Sequence, residues 1–193
     1  MTKKILKLPF YILRYMFCKP ISILIYDQKY MKSKYFYSRL FGIVSIGWQW
    51  VLTDILSRVF LRSNRGIPFP VSFRITIAEP KNIIFHPDDL NNFQGSGNYY
   101  QGMGKIIIGK GCWIASNVGI ITSNHTIGDL DEHDSPKDVV LGDKCWIGMN
   151  SMILPGVVLG DNTVVGAGSI VTKSFPEGHC VIVGNPAKFL RAC

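Results

Sequence analysis

Four histidines, His86, His125, His133 and His179, are the side chains of this sequence best suited to move a proton near neutral pH, because an unperturbed imidazole titrates at about 6.5. No two of them stand at the spacing of a metal-binding pair, and the five cysteines show no ligand spacing either, so no metal is expected. His125 differs from the other three in position. It closes a run of regular six-residue units, immediately before the one interruption of that run. A neutral imidazole placed there can accept a proton from an attacking hydroxyl or amine. His133 lies inside the interruption, where lining a cleft and being a plain exposed loop residue are competing readings; His86 and His179 stand in no motif. A second chemical feature is cationic: Lys173, Lys188 and Arg191 cluster toward the end of the chain. Such a group would neutralise a phosphorylated ligand, with a solvated basic tail as the alternative.

The element that must position these groups is a repeat. Aliphatic residues recur every sixth position at Ile108, Ile114 and Ile120, and again at Leu141, Ile147, Ile153, Leu159, Val165 and Val171. Most are followed by Gly or Ala (Gly109, Ala115, Gly142, Gly148, Gly160, Gly166), and four residues after each comes a mostly small or β-branched one, such as Cys112, Cys145, Ser151 or Thr163. A period of six fits neither an α-helix nor a sandwich strand. It fits short strands wound around a prism, one hexad per face, each aliphatic stacking on its equivalent a turn later. The glycines beside the aliphatics are expected to take the corners, where positive φ suits them. Residues 126–140 break the register as a polar, acidic loop. Upstream, Ile84, Leu90, Ser96 and Gly102 continue the spacing weakly, and the coil is expected to begin near Ile75. Cys112 and Cys145 are expected as buried thiols in a reducing compartment.

Net charge is +8, but residues 1–40 hold nine basic groups and one acid, leaving the remainder neutral. The basic character therefore belongs to the N-terminal segment, and with no recognisable nucleic-acid module nucleic-acid binding is not expected. No small-residue cleavage site closes the apolar stretch, against a signal peptide. The longest charge-free run, Leu40–Thr53, has 14 residues, short of the ~20 that span a bilayer. Residues 1–66 read as a mostly helical region mixing aromatics, aliphatics and cations. Peripheral contact with anionic lipid and packing on the main domain or a partner subunit both stay open. Residues 67–193 then form the β-helix with its loop and a C-terminal capping tail. The expected location is the cytoplasm, with the inner face of the cell membrane as the alternative.

Ordered motifs narrow the reading further. N-H-T-I at 124–127, the interrupting loop, C-W-I-G-M-N-S at 145–151, I-L-P-G-V-V-L-G-D at 153–161, V-G-A-G-S-I-V-T-K at 165–173 and G-N-P-A-K-F-L-R at 184–191 resemble the hexapeptide-repeat acetyltransferases of the galactoside, maltose and nodulation type. They also resemble the relatives that acetylate bacterial surface polysaccharides. The resemblance covers about half the chain. It implies a left-handed parallel β-helix, acetyl-CoA as donor, a sugar or glycan acceptor, and His125 as the base that deprotonates the acceptor during direct attack on the thioester. It implies backbone contacts to the pantetheine arm at Met149 and Ala167, adenosine-phosphate contacts at Thr172 and Lys173, and a basic pair at Lys188 and Arg191. Asn98 matches, loosely, an acceptor-orienting asparagine. The family assembles as homotrimers, with the active site in the cleft between neighbouring prisms. An amino-sugar N-acetyltransferase and a non-catalytic membrane-associated assembly protein on the same fold are the alternatives.

Overall fold

The structure, a computed structural model, describes residues 7–37 and 42–193, so Lys3, Lys4 and Arg39 of the basic set, with Leu40 and Phe41 of the charge-free run, lie outside the described residues. It divides into two compact units, residues 1–73 and 74–193.

In the second unit successive strands visit three sheets in turn. Ile106–Ile108 enters the first, Trp113–Ile114 the second and Gly119–Ile120 the third. After the loop the cycle repeats as Val139–Leu141, Trp146–Ile147 and Met152–Ile153, then as Val158–Leu159, Val164–Val165 and Ile170–Val171. Each strand pairs in parallel with its equivalent one coil later, for instance Ile147 with Val165 and Ile153 with Val171. The nine aliphatic positions of the hexads are all buried, seven of them at no more than 1% exposure (Ile120, Leu141, Ile147, Ile153, Leu159, Val165, Val171). Four places on, Cys112, Val118, Cys145, Ser151, Val157, Thr163 and Ser169 are buried too, while Asn124 before the insertion is exposed; Thr163 donates to the Gly160 carbonyl (2.7 Å) and Ser151 to that of Gly166 (3.1 Å). Four cysteines, Cys18, Cys112, Cys145 and Cys180, are buried free thiols, and Cys193 is exposed.

The glycines do not serve the purpose expected of them. Positive φ occurs three residues after seven of the nine aliphatics, at Gly111, Asn117, Lys144, Asn150, Gly156, Asn162 and Gly168, so the left-handed corner falls mostly on Asn and Gly. Asn tolerates that region better than other side chains, and Asn117 donates to Asn150 at 3.1 Å, linking two stacked corners. The glycine beside the aliphatic is small for a steric reason. A Cβ on Gly148 would lie 2.6 Å from Ala167 N and 2.7 Å from Val165 O on the next coil. Coil-to-coil approach, not torsion, selects it.

Upstream the register also departs from the six-residue spacing. Phe85, not Ile84, aligns with Ile108, and Ile84 is exposed. Tyr100 aligns with Ile120 in place of any aliphatic at Ser96 or Gly102. Between them Pro87–Phe93 forms 3-10 turns that bury Leu90 and Phe93, and Phe93 stacks between Phe85 and Tyr100 at 4.4 and 5.2 Å. Bulky rings thus fill the first coil where hexads fill the others. The inserted loop is shorter than 126–140, because Val139 and Val140 already belong to a strand.

The first unit contains helices α1 (Leu8–Ile25), α2 (Gln28–Met31) and α3 (Gly47–Phe60). Arg14 bonds Gln49 and the Ser45 carbonyl, Cys18 lies at the Trp48 carbonyl, and Tyr26 donates to Asp54, so α1 and α3 run in the same direction. This unit extends to Phe73, past the Gly66 boundary read from sequence. Ile67, Phe69 and Val71 are buried, Arg58 donates to the Ile67 carbonyl at 2.8 Å, and the Asp27 N–H bonds the Pro68 carbonyl.

The two kinds of glycine separate experimentally. Gly148→Ala is expected to lower stability by about 1–3 kcal/mol through overpacking. Gly168→Asn, at a corner where Cβ meets nothing within 4 Å and asparagine fills equivalent positions, should be nearly neutral. Urea unfolding of both variants checks this.

Candidate functional site

The segment leading to His125 is held from one side by a single side chain. Gln101 Oε1 accepts from the backbone N–H of Thr122 (2.9 Å) and of Ser123 (2.8 Å). Beyond it, His125–Thr126 pairs antiparallel with Asp129–His133, the hairpin that replaces a regular face of the prism. The loop returns along the same segment: Asp134 N–H donates to the Asn124 carbonyl, Lys137 N–H to that of Thr122, and Ser123 Oγ to that of Asp134 (2.7 Å).

His125 is exposed at this hairpin, and its Nδ1 lies 2.7 Å from the Leu130 carbonyl. A carbonyl only accepts, so Nδ1 carries the hydrogen and Nε2 of the neutral ring holds the lone pair. The bond therefore fixes both the ring orientation and the tautomer that a general base needs. The His133 ring packs against it, centroids 4.2 Å apart and planes 38° apart. Beside the hairpin lies a cavity of about 300 Å³ lined by Ser123, Asn124, Asp134, Ser135, Lys137, Leu154, Pro155 and Thr172. Its wall carries one acid, one base, three hydroxyls and an amide, a set that can hydrogen-bond a polyhydroxylated ligand.

The other expected positions sort into separate places. Met149 and Ala167 are 18 residues apart, one coil, and both are exposed at the corner after the second sheet. There the Gly168 N–H donates to the Met149 carbonyl at 2.8 Å. Thr172 and Lys173 are exposed at the next corner, after the third sheet; Thr172 reaches the cavity, and Lys173 Nζ stands 5.6 Å from the centre of the Phe175 ring. Lys188 and Arg191 are exposed on the last strand, Ala187–Ala192, which turns back antiparallel on Cys180–Gly184. A single chain thus gathers His125 and Thr172 around one prism corner, with Met149 and Ala167 on another.

Asn98 is not an acceptor contact in this arrangement. It is buried, its Oδ1 accepts from the Val118 N–H (3.1 Å) and its Nδ2 donates to the Tyr100 hydroxyl (3.4 Å). Burial pushes the Tyr100 phenol up, so the hydroxyl stays protonated and donates onward to the Asn92 carbonyl. Asn98 bridges two coils.

Sequence reasoning missed the Leu130 carbonyl, Gln101, Asp134 and Lys137. Leu130 acts through its backbone, which no residue type announces. Asp134 and Lys137 had a usable signal, since both fall inside the register break that begins after His125.

Comparison with known proteins agrees with the geometry. Residues 138–173 match the family model described as bacterial transferase hexapeptide (six repeats). WbbJ of Escherichia coli K12, named for O-acetyl transfer in lipopolysaccharide biosynthesis, is 32% identical over 168 residues, 71% of this chain and 83% of its own. A Saccharomyces cerevisiae protein named as an acetyltransferase is 42% identical over 91 residues; the match spans less than half of either protein, 45% of each. A solved hexapeptide-repeat-containing acetyltransferase of Vibrio cholerae, complexed with acetyl-CoA, superposes with a TM-score of 0.50 at 24% identity, covering 62% of this chain and 68% of that one. The fold in common is the left-handed parallel β-helix that the hexads imply.

Asn98→Ala leaves the Val118 N–H buried and unbonded, which costs about 1–3 kcal/mol. Thermal unfolding is expected to register that loss, while the acceptor KM stays within about twofold of wild type; a large rise in KM at unchanged stability would return Asn98 to the acceptor site.

Proposed function

The chain belongs to the family of bacterial hexapeptide-repeat transferases, and from that premise we propose that it moves an acetyl group from acetyl-CoA to a hydroxyl of a sugar or surface-polysaccharide precursor. One observation carries the mechanism: the 2.7 Å contact between His125 Nδ1 and the Leu130 carbonyl, which leaves Nε2 as an oriented proton acceptor next in sequence to Ser123 and Asn124 of the cavity wall.

The reaction balances without a covalent enzyme intermediate. Nε2 of His125 takes the acceptor O–H proton as that oxygen bonds to the thioester carbonyl carbon. The tetrahedral intermediate collapses, the carbon–sulfur bond breaks, and the imidazolium returns its proton to the departing thiolate of coenzyme A. Throughout, the Nδ1–H remains on the Leu130 carbonyl, which favours the transient cation. A hydroxyl acceptor is favoured over an amine by the name of the E. coli relative, an O-acetyl transferase, and by the hydrogen-bonding wall of Ser123, Asp134, Ser135 and Lys137. Thr172, Lys173, Lys188 and Arg191 supply the donors and charge suited to the phosphates of the donor substrate.

A homotrimer forms part of the same reading. Met149 and Ala167 occupy a different corner of the prism from Thr172 and the His125 hairpin. Side-by-side packing of copies would bring the corner of one against the hairpin of the next. The outward Trp113 and Trp146, in register on one sheet and both exposed, supply apolar surface for such packing.

His125→Ala is expected to lower kcat by about 10²–10⁴, the usual contribution of a general base, with coenzyme A affinity nearly unchanged. Steady-state transfer to hydroxyl and amine sugars, with calorimetric titration of coenzyme A, measures both. Near-normal turnover would remove His125 from the mechanism, and transfer to amines alone would remove the O-acetyl reading. Sedimentation equilibrium should give three chains; an active monomer would refute the shared site.

A further inference from the structure

Helix α1 of the N-terminal unit is polarised the wrong way round for a water-soluble helical packing. Along α1 the buried positions are Arg14, Cys18 and Ser22, four residues apart, which is the stripe that a soluble helix would make apolar. The large apolar side chains face outward instead: Leu13 is 68% exposed, Met16 65% and Leu24 84%, with Phe10, Ile12, Phe17 and Ile23 beside them. In α3, Asp54 and Ser57 are buried beside Trp48, Val51 and Ile55, while Val59 and Phe60 at its end are exposed, followed by exposed Leu61. The buried polar groups find their partners within the unit. Asp54 receives the Tyr26 hydroxyl, Arg58 Nε and Asn64 Nδ2 at 2.7–3.0 Å, and Arg14 bonds Gln49 and the Ser45 carbonyl at 3.1 Å. An apolar exterior on a helix whose buried stripe is polar and internally bonded suits a solvent that is itself apolar.

We propose that this unit is a monotopic membrane anchor, with the exposed apolar faces of α1 and α3 sunk into the hydrocarbon of one leaflet and the flanking cations at the headgroups. Charge supports lipid as the occupant. Residues 1–73 carry twelve Lys or Arg against two acids, Asp27 and Asp54, while residues 74–193 carry nine against eleven. Asp54 is buried, so the unit presents its exposed cations, among them Lys7, Lys29, Lys32, Lys34, Arg62 and Arg65, against the single exposed acid Asp27. Such a surface complements anionic headgroups. At one end of the apolar face a cavity of about 470 Å³ is lined by Lys7, Arg14 and Gln49 among others. Arg14 Nε is buried without a hydrogen-bond partner among the described residues.

Insertion into one leaflet, not crossing, follows from the chain path. The 18-residue α1 is about 27 Å long, close to the ~30 Å of a hydrocarbon core. But Phe36 packs on Trp48, which itself packs on Tyr15 of α1, so the described residues 27–36 fold back beside the C-terminal half of α1, and they carry the exposed Lys29, Lys32 and Lys34. A crossing α1 would draw those ammonium groups through the bilayer. Lying along the interface, the apolar face needs to sink only about 5–10 Å. Attachment thus rests on apolar insertion, with electrostatics as an addition.

Flotation of the full chain with vesicles tests this. Binding is expected to neutral phosphatidylcholine vesicles as well as to vesicles containing phosphatidylserine, to persist in 1 M salt, and to be reversed by detergent. The charge-neutral variant Leu13→Gln/Met16→Gln/Leu24→Gln should partition at least about a hundredfold less, since each buried apolar side chain contributes about 1.5–3 kcal/mol. Its circular dichroism should match wild type, because all three side chains are exposed. If that variant fails to fold, an environment-sensitive fluorophore on Leu24→Cys in a Cys193→Ser background decides: quenching by acyl-chain-brominated lipid is expected. Binding confined to anionic vesicles and abolished by salt overturns insertion in favour of surface electrostatics. So does a probe that is not quenched, or a triple variant that binds as well as wild type. No vesicle binding, together with a variant that dissociates into fewer chains, assigns the face to contact between copies instead.

Discussion

The second unit depends on one constraint: no hexad can bury its own aliphatic side chain. Ile147 is shielded only because Ile114 and Val165 lie in register on the coils to either side, and Ile153 because of Ile120 and Val171. Stability is therefore a property of the stack, and every position that touches the stack axis inherits its spacing. That spacing makes the hexad glycines obligatory, because neighbouring backbones leave no room for a Cβ at Gly148. It makes the residue four places on small, and it puts asparagine or glycine at the left-handed corner. Where the stack ends, the chain doubles back: Ala187–Ala192 pairs antiparallel with Cys180–Gly184 and covers the outer strand of one sheet, which protects an edge open to further pairing.

The same constraint explains what could be read without a structure. From Ile106 onward each coil obeys one steric rule, so the rule is visible as a period and the fold with it. Upstream, Phe85, Phe93 and Tyr100 fill the same interior with rings of varied reach. The chain between them is then free to form 3-10 turns, and the period disappears although the packing does not. The glycines were read as corner residues because positive φ is the commonest reason for glycine, and nothing in a single chain of letters separates torsion from close approach. Asn98 illustrates the same difficulty for a site: an amide placed one coil before a histidine reads as a ligand contact or as a bridge, and only burial decides.

In the first unit, composition was legible and direction was not. The excess of cations shows in a count. Which face of α1 turns inward depends on Arg14, Cys18 and Ser22 finding Gln49, Ser45, Trp48 and Lys19 as partners, and a pattern rule that sends apolar residues inward predicts the opposite face. The buried Asp54 follows the same logic: an isolated carboxylate would be expensive to bury, but three donors surround this one, so the unit can afford an apolar exterior.

Catalytic chemistry in such a fold requires the period to be broken. Along an intact coil, backbone carbonyls point up or down the stack and accept from the next coil, as Ile147 O does from Ala115 N–H and Ile153 O from Ile121 N–H. Those oxygens are covered by the neighbouring strand and cannot orient an outward-facing side chain. Outward positions on the sheets are also rigid and evenly spaced, which suits packing against a flat surface more than enclosing a substrate. The insertion after His125 removes both restrictions at one place. Its hairpin frees the Leu130 carbonyl from the coil ladder and aims it at Nδ1 of the histidine (2.7 Å). Its return segment brings Asp134 and Lys137 to the cavity that Thr172 lines from the intact part of the prism. Gln101, on the coil below, then anchors the segment at Thr122 and Ser123, so that the break stays local. A regular solenoid supplies rigidity and a repeating set of corners; the insertion after His125 supplies an oriented imidazole, and neither can substitute for the other.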